Sequence, residues 1–122
     1  MSRSEQISKL LKSLTSSSAD VEAAALVDND GLMIASALPA DVEDDRVAAM
    51  SAALLGMSDR IVRELGRGTF ELVMIRGSDG YTILVRCGPD AVLSVLAART
   101  AKLGLIFLDA NRSAKEISRL IM

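Results

Sequence analysis

The sequence has no histidine, no tryptophan and a single cysteine, Cys87. Without histidine, the commonest general base and a common metal ligand are missing together. One thiol excludes an intramolecular disulfide and any cysteine-based zinc site. Aromatic residues make up only 2% of the chain, so few large rings are present to stack on bases or ligands. No apolar run reaches the ~18–20 residues of a membrane span. The opening stretch MSRSEQISKLLKSL lacks the continuous apolar core of a secretory signal. The net charge of −2 holds no basic excess of the kind that nucleic acid or an acidic membrane surface calls for. These absences lead to the expectation of a soluble, cytoplasmic protein that is not an enzyme. No cofactor, metal, nucleic-acid partner or membrane insertion is expected.

What is present is aliphatic. The chain has 122 residues, of which 50% are hydrophobic. That length fits one domain, 1–122, able to bury roughly two-thirds of the surface its unfolded chain exposes. The organising stretch is VAAMSAALLGMSDRIVREL, read as a helix from about Asp44 to Leu65. Val47, Met50, Leu54, Met57, Ile61 and Leu65 fall on one stripe at i, i+3, i+4 spacing, and that stripe is expected to cover the domain's own sheet. Opposite lie Ala48, Ala49, Ala52 and Gly56, followed by Asp59, Arg60 and Arg63. Small side chains let another backbone come close, and a mid-helix glycine costs roughly 1 kcal/mol against alanine, which invites a packing reason. This second face is expected to meet a second copy of the chain. The plainer reading is an alanine-rich exposed face chosen for helix propensity.

Around this helix the chain reads in order. Residues 3 to about 15 form a short amphipathic helix with Ile7, Leu10, Leu11 and Leu14 on one face, and Ser2 with Glu5 fits a capping box. It is expected to pack on the domain rather than lie on a membrane surface, having three basic residues and no aromatic anchor. Strands follow at Val21 to Asp28 and Leu32 to Ala37, joined by the turn signal Asn29-Asp30-Gly31. After the long helix, Gly66 sits where a left-handed C-terminal cap belongs. Phe70 to Arg76, Tyr81 to Cys87 and Ala91 to Ala98 then read as an antiparallel meander. Their nearly continuous apolar runs predict cover on both faces. A final helix is read from about Ala101 to Ile121, leaving Leu105 and Leu108 off its main stripe, either partly buried or facing a partner. The predicted fold is α+β: a five-stranded antiparallel sheet with helices on both faces, in the order helix, two strands, long helix, three strands, helix. Phe70 to Arg76 is expected at a sheet edge. Its residues Leu72, Val73, Met74 and Ile75 would be an aggregation hazard unless a second copy pairs with them.

No catalytic constellation emerges. GRGTF lacks the spacing and the lysine of a P-loop. Asp28-Asn29-Asp30-Gly31 resembles the start of a calcium loop without its spacing or closing glutamate, so a hairpin turn is favoured. Asp41, Glu43, Asp44 and Asp45 resemble a metal or acid–base cluster, but acidic residues before a helix are stabilised by its dipole, and Asp41 can cap it. Cys87, beside Arg86, reads as a buried structural cysteine rather than a reactive thiol. Arg60, Arg63 and Arg67 read as a solvated helix end, with an arginine finger toward a partner's phosphates as the sharper alternative.

The hairpin VEAAALVDNDGLMIAS (Val21 to Ser36), the helix RVAAMSAALLGMSDRIVREL after an acidic loop, and Lys102-Leu103-Gly104-Leu105 together resemble Roadblock-type dynein light-chain domains. The likeness spans roughly residues 5 to 120 and is strongest to the prokaryotic Mgl-type branch, which includes regulators of bacterial gliding and polarity. The resemblance implies a Roadblock/profilin-like fold and a homodimer with one sheet running through both subunits. It also implies a small Ras-like GTPase as partner, bound as an activator or on a scaffold. In the Mgl branch, activation is thought to rearrange the GTPase's own catalytic residues without donating an arginine. The family's GTPase contacts are not marked by a motif that transfers to individual residues here. Two other readings stand beside this one: a structural adaptor that never touches a GTPase, and a small-ligand sensor, which the scarcity of aromatics disfavours.

Overall fold

The computed structural model describes residues 1–121. Eight elements follow one another: α1 (Arg3–Ser17), β1 (Val21–Asp28), β2 (Met33–Ala37), α2 (Asp44–Glu64), β3 (Leu72–Gly77), β4 (Gly80–Cys87), β5 (Ala91–Ala98) and α3 (Leu103–Ile121). The strands form one antiparallel sheet in the order β2-β1-β5-β4-β3. The expected α+β architecture and element order are therefore observed, with β3 at an edge.

Local chemistry explains where the elements start and stop. The Ser2 hydroxyl oxygen accepts from the Glu5 amide at 3.1 Å and donates to the Glu5 carboxylate at 3.0 Å, so the capping box of α1 closes through side chains. Asp28 shapes the first hairpin turn by accepting the amides of Asp30 and Leu32, both at 2.9 Å. Gly66, at φ 66°, ends α2. Its amide donates to the Arg63 carbonyl and the Arg67 amide donates to the Val62 carbonyl, the paired bonds of a Schellman motif. The start of α2 differs from expectation. Glu43 is the N-cap and makes no side-chain cap bond, while the Ser36 hydroxyl donates to the Asp44 carboxylate at 2.9 Å and ties β2 to the first turn. Asp41 does not cap.

Two aliphatic layers sandwich the sheet. On one face α1 and α3 bury Ile7, Leu11, Leu14, Ile106 and Ile117 against Leu26, Ile83, Val85, Leu93 and Val95. On the other, α2 buries Ala48 and Leu55, with Phe70, against Val27, Leu84 and Val92. The central strands β1, β4 and β5 meet both layers, which accounts for their unbroken apolar runs. Phe70 belongs to this second core rather than to a strand, so β3 opens at Leu72, two residues later than the pattern suggests.

The orientation of α2 differs from the sequence reading by about a quarter turn, so that neither expected face is the one that covers the sheet. Its buried residues are Ala48, Ser51, Leu55 and Ser58, whereas Met50, Met57, Ile61 and Leu65 of the large stripe are exposed and Val47 and Leu54 are half-buried. The close-approaching backbone is the chain's own. A Cβ built on Gly31, in the hairpin turn at φ +90°, falls 3.5 Å from the Ala52 Cβ and 3.8 Å from the Ala48 carbonyl oxygen and the Ala49 Cα. The small residues make room for that turn, whereas a Cβ built on Gly56 would meet nothing within 4 Å outside its own helical turn.

Candidate interaction surface

Among the described residues no group of three or more His, Cys, Asp or Glu side chains could hold a metal ion. Cys87 is buried, and its thiol donates to the Ala114 carbonyl of α3 at 3.2 Å. Burial pushes this thiol up from the usual 9.0 to about 11, against the opposing pull of Arg86, so it is no low-pKa nucleophile. Asp28 serves the turn described above. Arg60 pairs with Glu64 at 2.8 Å and Arg63 with Asp59 at 3.0 Å along the exposed side of α2. Such exposed i, i+4 pairs are worth only about 0.3–0.5 kcal/mol.

What the fold displays instead is unfinished apolar surface. Five strands spaced about 4.8 Å apart make a sheet ~24 Å wide, and one helix about 10 Å across covers under half of it. The second face carries only α2, which leaves the sheet toward β3 open. There Val47, Met50 and Leu54 of α2, with Ile75, Thr82, Leu84 and Leu96 of the sheet, line a cleft of about 260 Å³. Met50 and, further along the same stripe of α2, Met57, Ile61 and Leu65 are each 49–64% exposed.

The neighbouring β3 has one paired side, toward β4, in the register Val73↔Leu84 and Ile75↔Thr82. Its outer side meets no strand among the described residues. Leu72, Met74 and Ile75 are exposed and Val73 is half-buried against the α2 core. The structure thus brings Val73 and Ile75 of the edge together with the large stripe of α2, while Leu72 and Met74, opposite Val85 and Ile83, face the α1/α3 side. It sends Ala48, Ala49 and Ala52 to the opposite flank, under the hairpin, and leaves Gly56, Arg60 and Arg63 on solvent. The signal that sequence reasoning passed over was arithmetic: one helix must cover a whole face of five strands.

The profile of the Roadblock/LC7 domain family matches residues 7–97. The chain belongs to the Roadblock/LC7 domain family. Two uncharacterized proteins of Methanocaldococcus jannaschii, MJ1340 and MJ0310, are each 39% identical to this Roadblock chain over 97 residues, covering 80% of it and 84% of their own lengths. Among solved structures, Myxococcus xanthus MglB superposes with a TM-score of 0.91 at 20% identity, covering 99% of this chain and 91% of that one. A Roadblock/LC7 domain from Streptomyces avermitilis gives 0.88 at 21% identity, covering 94% and 97%. Profilin IA of Acanthamoeba castellanii gives 0.55 at 12% identity over 93% and 94%, so the fold is also profilin-like. No helix of this Roadblock domain, among the described residues, is long and apolar enough to cross a membrane.

Proposed function

We propose that this Roadblock domain is a homodimeric regulator that binds a small Ras-like GTPase. The observation carrying the dimer is the open cleft, where the exposed stripe of α2 and the free edge of β3 lie side by side. Covering each half-exposed Met, Ile or Leu is worth on the order of 1 kcal/mol. Four from each copy give a gross gain of about 8 kcal/mol, from which the lost freedom of two bodies must be subtracted, so strand pairing along β3 has to supply the rest of a micromolar complex. Antiparallel pairing of β3 with its copy places the two-fold axis perpendicular to the sheet and removes both exposed edges at once. Family membership and the likeness to MglB support the GTPase as partner, and one similar MglB is described in a tetrameric arrangement. In this reading the interface moves from Ala48, Ala49 and Ala52 to Met50, Leu54, Met57, Ile61 and Leu65, and keeps Leu72 to Ile75.

Among the described residues no cluster is built to react with a phosphate, and in this reading regulation works by shaping the GTPase. The test mixes the protein with a small Ras-like GTPase encoded near it and follows co-elution and GTP turnover. Complex formation that depends on the bound nucleotide is expected. Alanine at Arg60, Arg63 and Arg67 together is expected to change turnover by less than about threefold, whereas loss of a true arginine finger costs roughly 10³-fold or more. A parent chain that is monomeric at micromolar concentration by light scattering defeats the dimer. Failure to bind any such GTPase leaves a structural adaptor, to be identified by its pull-down partners.

A further inference from the structure

The net charge of −2 conceals a strong segregation. The α1 and α3 helices lie side by side on one face of the sheet. They carry six exposed cations, Arg3, Lys9, Lys12, Arg112, Lys115 and Arg119. Against these stand three carboxylates, Glu5, Glu116 and Asp109, the last half-buried and paired with Arg112 at 2.8 Å. The two helices therefore hold +3 and the remainder of the chain −5, with Arg3 sharing a pocket with Asp28 and Asp90 of the neighbouring turns.

The arrangement along α3 is specific. Leu105, Leu108, Arg112, Lys115 and Arg119 follow steps of three and four residues, and all five are exposed, which makes them one outward stripe. The two leucines are 53% and 61% exposed. They pack on nothing in the second core or the β3 cleft, which lie across the sheet. Outward leucines continued by cations, on a helix lying flat along a domain, are the makings of an interfacial contact.

We propose that the α1/α3 face docks peripherally on an anionic lipid surface. Charge complementarity favours this occupant, and so do the outward leucines that continue the cationic stripe of α3. This inference rests in part on the proposed dimer. A two-fold axis perpendicular to the sheet keeps both α1/α3 layers on one side of the joined sheet, which gives four leucines and a net +6 over four helices. One such face alone binds weakly, having no aromatic anchor. Two linked copies on one surface gain by avidity. Docked this way, the dimer turns its α2 side away from the lipid.

Sedimentation of the full chain with vesicles tests the proposal. With about one-third phosphatidylglycerol in phosphatidylcholine at about 0.1 M salt, where the Debye length is ~10 Å, the protein is expected in the pellet. With phosphatidylcholine alone it is expected in the supernatant. Each net cation near such a surface is worth roughly fivefold in affinity, so Lys115→Glu with Arg119→Glu should lower partitioning by tenfold or more. Leu105→Glu with Leu108→Glu should do the same, and both double variants should melt like the parent because the four side chains are exposed. Unchanged partitioning in both variants, or binding to soluble polyglutamate with none to anionic vesicles, overturns the proposal. Light scattering on the same samples separates the two readings. A monomer that still binds vesicles overturns the dimer alone, and a dimer that ignores anionic vesicles at about 0.05 M salt overturns the docking alone.

Discussion

Gly31 shows how one residue decides an orientation. It holds a left-handed φ of +90° while its α-carbon faces the alanines of α2. Gly31→Ala is expected to destabilise the fold by about 1–2 kcal/mol from the backbone conformation alone, read as a lower urea midpoint at unchanged slope. Ala52→Arg is expected to act on the same contact, lowering stability rather than self-association. Cys87 makes a second prediction at this scale. Below pH 9 its thiol is protonated in the folded and the unfolded chain alike. Between pH 9 and about 11 the unfolded chain sheds the proton while the buried thiol keeps it. Native stability therefore falls as pH rises through that window, by about 2–3 kcal/mol for this one group. Cys87→Ala should flatten that part of the curve, measured by urea unfolding at stepped pH, and the native parent should react slowly with iodoacetamide. Much at this scale was legible beforehand. Gly66 as a left-handed cap, Ser2 with Glu5, and Cys87 as a buried thiol are local patterns with local causes. That Gly31 would touch Ala52 was not legible, because the contact spans 21 positions and depends on where the helix is laid.

Among elements, α2 is where sequence and structure part. Helical periodicity detects an apolar stripe but not which surface covers it, since burial by a partner and burial by the chain's own sheet leave the same spacing. On that ground the large stripe reads as core, yet Met50, Met57, Ile61 and Leu65 stand open. The two faces now make opposite predictions. Met57→Asp should weaken self-association by tenfold or more, because it places a charge in the middle of the stripe. Gly56→Ala should leave association unchanged and raise stability by up to about 1 kcal/mol, having open space for its Cβ and a better helix former in its place. Light scattering and thermal melts on the two variants check both. The edge position of β3 was legible from the meander and the crossing helix. The start of β3 was not, because Phe70 looks like a strand residue and serves as a plug for the α2 core.

At the scale of the whole molecule, stability and assembly are one quantity when a core is left open for a copy. The melting temperature of the parent is therefore expected to rise with protein concentration across the micromolar range, and that of Met57→Asp to stay constant. A concentration-independent parent would count against the proposed pair. The fold order and the five-stranded sheet could be read from the sequence, because alternating turns and apolar runs prescribe them. The polarity of charge between the two helical layers could not, since a net value averages over faces that only the folded chain separates.

The bare rim of β3 has one more consequence. Main-chain amides and carbonyls offer the same bonds to any strand that reaches them, so the rim itself cannot tell kin from stranger. Where several chains of one fold meet, any sorting of mates would fall to exposed methionines, leucines and isoleucines such as those alongside this rim.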